Sequence, residues 1–192
     1  AENFISRFWR KDPNLWKANP DDQAVIRNTL GWLHVADKME SQLNELACFA
    51  AQVKADRFGH VVHMGMGGSS LAPLVFQHTF KSAWNALPLT VLDTTDPETI
   101  LAIEQKLSLA DTLFIVASKS GTTAEPLAFG DYFYDKLRAL KGDRAGENMV
   151  SITDPGTPLV DVWGDAVLDI AITPNIARAA NMLGVAREVA AI

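Results

Sequence analysis

Beyond residue 57 the chain alternates short, largely apolar runs with longer stretches of helical periodicity, and this alternation restricts the fold more than any other feature. The runs are His60–Met66, Leu89–Asp93, Thr112–Ala117, Asn148–Thr153 and Ala166–Ile172. Turn and helix-start signals separate them: Gly67-Gly68-Ser69-Ser70, Asp96-Pro97-Glu98, the stretch Ser118 to Thr123, and Asp154-Pro155-Gly156, with Pro174 opening a helix after the last run. Strands with continuous apolarity are covered on both faces, and strands separated by helices form a parallel sheet. The expected fold is α/β, a three-layer α-β-α sandwich around a five-stranded parallel sheet. In such sheets ligands bind outside the carboxyl ends of the strands, where the strand order reverses.

Residues 1–57 read as an N-terminal arm and helical segment packing on the domain, and 58–192 as the domain itself. The first 19 residues are aromatic-rich, with Phe4, Phe8, Trp9 and Trp16 around Pro13, and are expected to be an irregular arm. Asn19-Pro20 is a helix start, a capping residue followed by proline at the first helical position. Val25, Leu30, Leu33, Ala36, Met39, Leu43, Leu46, Ala47, Ala50 and Val53 then recur at helical spacing, which predicts one long helix, or two in tandem, to about Arg57. The single cysteine, Cys48, falls in this run and is expected to be a buried, inert thiol.

Apolar residues make up 48% of the 192-residue chain and charged residues 21%, an ordinary globular balance. No apolar run is long enough to span a membrane and no signal-peptide pattern opens the chain, so a soluble, cytoplasmic protein is expected. The net charge is −6 and no basic stripe is visible, which argues against nucleic acid as a partner. An anionic ligand must be held by a local device.

Two turns supply such devices. Gly65-Met66-Gly67-Gly68-Ser69-Ser70 follows the first strand. Its glycines let the backbone approach a ligand, and the helix behind points free N–H groups at it. As a dinucleotide fingerprint it is poor, because Ser70 stands where the last glycine belongs; a plain tight turn is the alternative. Ser118-Lys119-Ser120-Gly121-Thr122-Thr123 follows the third strand and packs four hydroxyls, a lysine and a glycine at a helix N-terminus. A phosphate dianion needs converging donors, which hydroxyls and unsatisfied backbone N–H groups provide. The Walker spacing is absent. The competing reading is a polar loop with a Ser/Thr helix cap.

The two segments also carry a resemblance. Gly65 to Pro73 resembles the G-I-G-G-S-x-L-G-P segment of phosphoglucose isomerases, and Ser118 to Pro126 resembles their S-K-[ST]-x-T-T-x-E signature. The spacing and strand-turn-helix context of the two are similar as well, and the likeness covers about 60–155. It implies the sugar isomerase (SIS) fold and the interconversion of glucose 6-phosphate and fructose 6-phosphate through an enediol, with no metal and no cofactor. It further implies that Ser118, Ser120 and Thr123 hold the phosphate, with Lys119 adding backbone and charge. Gly68 and Ser69 would line the sugar, and Glu125 would orient a ring-opening histidine. Trp9 to Leu33, and Val91 to Pro97, look like the isomerase half of bifunctional transaldolase–phosphoglucose isomerases. A homodimer is the family's expectation.

The chain departs from the pattern after Pro158. The G-G-R-[YF]-S segment, whose arginine stabilises the enediolate, is not found; Arg178 and Arg187 stand in a helical context. The second SIS domain, with the base, the ring-opening histidine and a late lysine, is likewise expected to lie outside this chain. Binding of a hexose 6-phosphate without turnover is the expectation for this chain alone, and the alternative is a non-catalytic SIS module that senses a phosphorylated sugar. His34, His60, His63 and His78 lack a partner at useful spacing and read as packed or surface residues. Asp96 reads as a helix cap.

Overall fold

The computed structural model describes residues 3–80, 86–154 and 156–162. Four strands form one sheet: β1 (His60–Gly65), β2 (Leu89–Leu92), β3 (Thr112–Ala117) and β4 (Met149–Ile152). All pairings are parallel and the order is β2-β1-β3-β4. The expected fifth strand, 166–172, and the helix expected from Pro174 lie outside the described residues.

The helices are α1 (Phe4–Trp9), α2 (Pro20–Thr29), α3 (Val35–Glu40), α4 (Leu43–Ala55), α5 (Leu71–Phe80), α6 (Pro97–Lys106) and α7 (Ala124–Lys141). Their starts follow local chemistry. Asn19 accepts the Asp21 N–H at 2.8 Å with Pro20 at the first position of α2. Asp96 accepts the Thr99 N–H at 2.9 Å and opens α6 in the same way, as its spacing before Pro97 leads one to expect.

The strands are largely apolar because the sheet is covered on both sides. Successive strand residues point to opposite faces. Leu113, Ile115 and Ala117 of β3 join one buried cluster with Val61, Met39, Leu46 and Val53, so α3 and α4 cover that face. Phe114 and Val116 join the other, with Val62, Met64, Phe129, Phe133 and Leu137, which places α7 on the opposite face. Phe114 and Phe133 stack there at 4.7 Å between ring centroids. Burying one such ring contributes about 2–3 kcal/mol.

The N-terminal third differs from its expectation in three ways. The helical run to Arg57 is broken: Leu30 leaves helical geometry at φ −97 and ψ 14, and Gly31–His34 forms a 3-10 turn before α3 begins. Glycine is the weakest helix former after proline, so position 31 is where a long helix yields. A second break at Ser41-Gln42 separates α3 from α4. From Asn3 the arm is partly helical, not irregular: Asn3 caps α1 through the Ile5 N–H, Arg7 pairs with Asp12 at 2.7 Å, and Phe8 meets Trp16 and Trp32 edge-on at 6.1 and 6.3 Å. Cys48 is exposed, not buried. α4 turns Leu46, Ala50 and Val53 to the core, and a residue two positions after Leu46 stands about 200° round the helix, on the opposite side.

Candidate functional site

The chain leaves β1 toward β2 on one side of the sheet and leaves β3 toward β4 on the other. The strand order therefore reverses between β1 and β3, whose last residues, Gly65 and Ala117, are register partners. The two donor-rich turns leave this pair of strand ends side by side, at the crevice position of an open α/β sheet.

After β1, a 3-10 turn over Gly67–Ser69 leads into α5, with Gly67 at φ +52. Gly65 makes room for it: a Cβ there would lie 2.9 Å from the Ser69 carbonyl oxygen. The same carbonyl sits 2.7 Å from Nε2 of His63, which is 3% exposed. Burial pushes the His63 imidazole down to about 4, with the bond to Ser69 opposing the shift. The ring is therefore neutral at physiological pH and donates from Nε2. Ser70, also buried, bonds back to the Gly67 carbonyl at 3.1 Å. Gly68 and Ser69 thus sit on a turn whose backbone is held from inside the sheet. His63 is packed, as expected of it; its part in fixing the turn has only one sign in the sequence, the period-2 pattern that puts residues 63 and 65 on one face of β1.

After β3, Ser118 is 3% exposed and its hydroxyl donates to Thr123 Oγ1 at 3.2 Å. Its N–H continues the sheet pattern to the Ile152 carbonyl, and its carbonyl accepts the Gly121 N–H at 3.2 Å. Gly121 sits at φ +64, a conformation that suits glycine. Ser120 and Thr122 are exposed and their hydroxyls lie 2.8 Å apart. Thr123 is the N-cap of α7, but its side chain makes no cap hydrogen bond. The reading of this loop as a Ser/Thr-capped helix start is not what the geometry shows. Pro126 has no N–H to offer, and helix geometry leaves the Ala124 and Glu125 N–H groups without acceptors inside α7. With 18 residues of helix behind them, these groups favour an anion at the loop.

Glu125 lies half-buried in the first turn of α7, two residues from Thr123. Lys119 is half-buried and its carbonyl accepts the Asp154 N–H at 3.1 Å. Asp154 follows β4. Burial raises its pKa, the Lys119 charge opposes the rise, and its Oδ1 is buried without a hydrogen-bond partner. Ser118, Lys119, Ser120 and Thr123 therefore share one loop, Gly68 and Ser69 the neighbouring one, and Glu125 the helix that the first loop opens. Among the described residues no helix is long and apolar enough to cross a membrane.

The family model for phosphoglucose isomerase matches residues 21–154. The chain is 32% identical over 157 residues to glucose-6-phosphate isomerase of Chlamydia trachomatis serovar D, covering 81% of this chain and 27% of the relative. It is 33% identical over 136 residues to glucose-6-phosphate isomerase of Prochlorococcus marinus, covering 64% and 23%. Among solved structures, a hypothetical protein from Thermus thermophilus superposes with a TM-score of 0.76 at 25% identity, over 97% of this chain and 44% of that one. A glucose-6-phosphate isomerase from Chlamydia trachomatis superposes with a TM-score of 0.66 at 21% identity, over 96% and 35%. The chain spans about a quarter to a third of the length of the curated relatives it matches. With the family model covering well over half of the sequence, the chain belongs to the phosphoglucose isomerase family.

Proposed function

We propose that this chain is the sugar-phosphate-binding part of a glucose-6-phosphate isomerase, the enzyme that interconverts glucose 6-phosphate and fructose 6-phosphate. The observation that carries the reading is the pairing of two donor-rich turns on β1 and β3, at the reversal of strand order. In this reading the phosphate sits against Ser118 to Thr123. Ser120, Thr123 and the first N–H groups of α7 point donors at it, Ser118 aligns Thr123 from its buried position, and Lys119 adds charge. Gly68 and Ser69 line the sugar. Residues 1–57 act as an arm and helical layer on the binding domain, which runs from 58.

Isomerisation moves a proton between sugar carbons 1 and 2, which requires a base in contact with those carbons. Neither turn carries one. Glu125 is assigned the role of orienting a ring-opening histidine supplied from outside this chain, since a carboxylate fixes the tautomer and direction of an imidazole. The base and the opposite wall of the crevice come from the remainder of the family's length, in a cytoplasmic homodimer. Chemical-shift mapping tests the assignment. Fructose 6-phosphate should move the amide signals of Ser120, Thr122, Thr123 and Ala124 together with those of Gly68 and Ser69. Shifts confined to other segments would refute it.

A further inference from the structure

The phosphate loop is gripped by the turn that follows β4. A Cβ built on Gly121 would lie 2.7 Å from both Cβ and Oγ1 of Thr157, and 3.1 Å from Cβ of Leu159. The Thr157 side chain is therefore seated directly on the α-carbon where the loop reverses. Its hydroxyl lies 2.7 Å from that of Thr153. Thr153 Oγ1 in turn reaches the Lys119 carbonyl at 3.5 Å, the same oxygen that accepts the Asp154 N–H at 3.1 Å. The turn is closed by the Thr157 N–H on the Asp154 carbonyl at 3.4 Å, with Gly156 at φ +74. The points it holds on the loop are a carbonyl and an α-carbon. Neither can donate to an anion, so the grip uses up none of the donors a phosphate needs.

We propose that Thr157 is a positioning residue for phosphate recognition: seated on Gly121 and bonded to Thr153, it holds Ser118 to Thr123 in the shape whose donors converge. The proposal rests on the reading of that loop as a phosphate site. A loop held in its binding shape before the ligand arrives does not have to be ordered by it, so affinity for the phosphate group should depend on a residue that never touches it. The effect should be specific to the phosphate, because the sugar-lining turn after β1 is held separately by His63 and Ser70.

The test uses the 192-residue chain and its variants Thr157→Ala, Thr157→Ser and Thr157→Val. Two quantities are read: the affinity ratio of fructose 6-phosphate to fructose, and amide exchange at Gly121 and Thr122 without ligand. Thr157→Ala should lower the ratio by about tenfold and speed exchange at both amides by a similar factor. Thr157→Ser, which keeps the hydroxyl, should recover most of both. Thr157→Val keeps the bulk and loses the bond to Thr153, so it should shift both readouts in the same direction if Thr157→Ala does not fold. A merely destabilising substitution would weaken both sugars alike and leave the ratio unchanged. A wild-type chain that prefers the phosphorylated sugar, with variants that keep its ratio and exchange rates, overturns the proposal. A wild-type chain with no such preference overturns the phosphate reading, and the proposal falls with it.

Discussion

Nε2 of His63, inside the sheet, lies 2.7 Å from the carbonyl oxygen of Ser69, on the turn assigned to the sugar. Burial keeps the donating ring neutral by lowering its pKa from 6.5 to about 4, against the pull of this bond, which favours the protonated form. Between those values the unfolded chain binds the proton that the folded chain refuses. The contribution is therefore complete above pH 6.5 and is lost as pH falls toward 4, at about 1.4 kcal/mol per pH unit. Urea unfolding should show roughly 2 kcal/mol less stability from this residue at pH 5 than at pH 7. His63→Gln should remove that part of the slope; an unchanged slope would contradict the buried, neutral assignment.

Gly121→Ala combines a left-handed backbone at φ +64 with a Cβ placed 2.7 Å from Thr157. Neither neighbour is the far end of a flexible chain, so the loop has to move. Strain and overpacking together should cost about 2–4 kcal/mol. Thermal unfolding measures this cost, and the same variant should lose its preference for the phosphorylated sugar. Full stability with wild-type binding would show that the loop tolerates another shape.

Asn148 is fully buried where the polar stretch after α7 meets β4, and its Nδ2 lies 3.0 and 2.7 Å from the Ala110 and Thr112 carbonyls. Its Oδ1 accepts from Lys141. Asn148→Leu would take the side-chain donor from the buried Thr112 carbonyl and leave Lys141 with only its 3.5 Å ion pair to Glu147, so a loss of about 2–4 kcal/mol is expected by chemical denaturation. A loss below about 1 kcal/mol, on the scale of an exposed substitution, would show that this network is not structural.

The parallel sheet was legible because its strands are covered twice. Thr112 to Ala117 alternates between two cores, so its sequence shows no polar face at all. The helix starts at Pro20 and Pro97 were legible because proline and a capping side chain act within one turn. The side on which each helix packs was not written locally. Leu46, Ala50 and Val53 face the core while Leu43 and Cys48 do not, and only the packing of α4 on the sheet decides between them. The loop residues Ser118 to Thr123 stood out by their hydroxyl content. Thr157 and His63 did not, because each acts through a contact with a segment of the fold whose position only the tertiary structure fixes: one on Gly121, the other on Ser69.

In the proposed function, the loop between β3 and α7 holds the phosphate. Calorimetric titration of the 192-residue chain with fructose 6-phosphate and with fructose tests it most directly. The phosphorylated sugar should bind at least about tenfold more tightly, the order expected when charge-assisted hydrogen bonds replace none. Equal affinity for the two sugars would contradict the phosphate assignment.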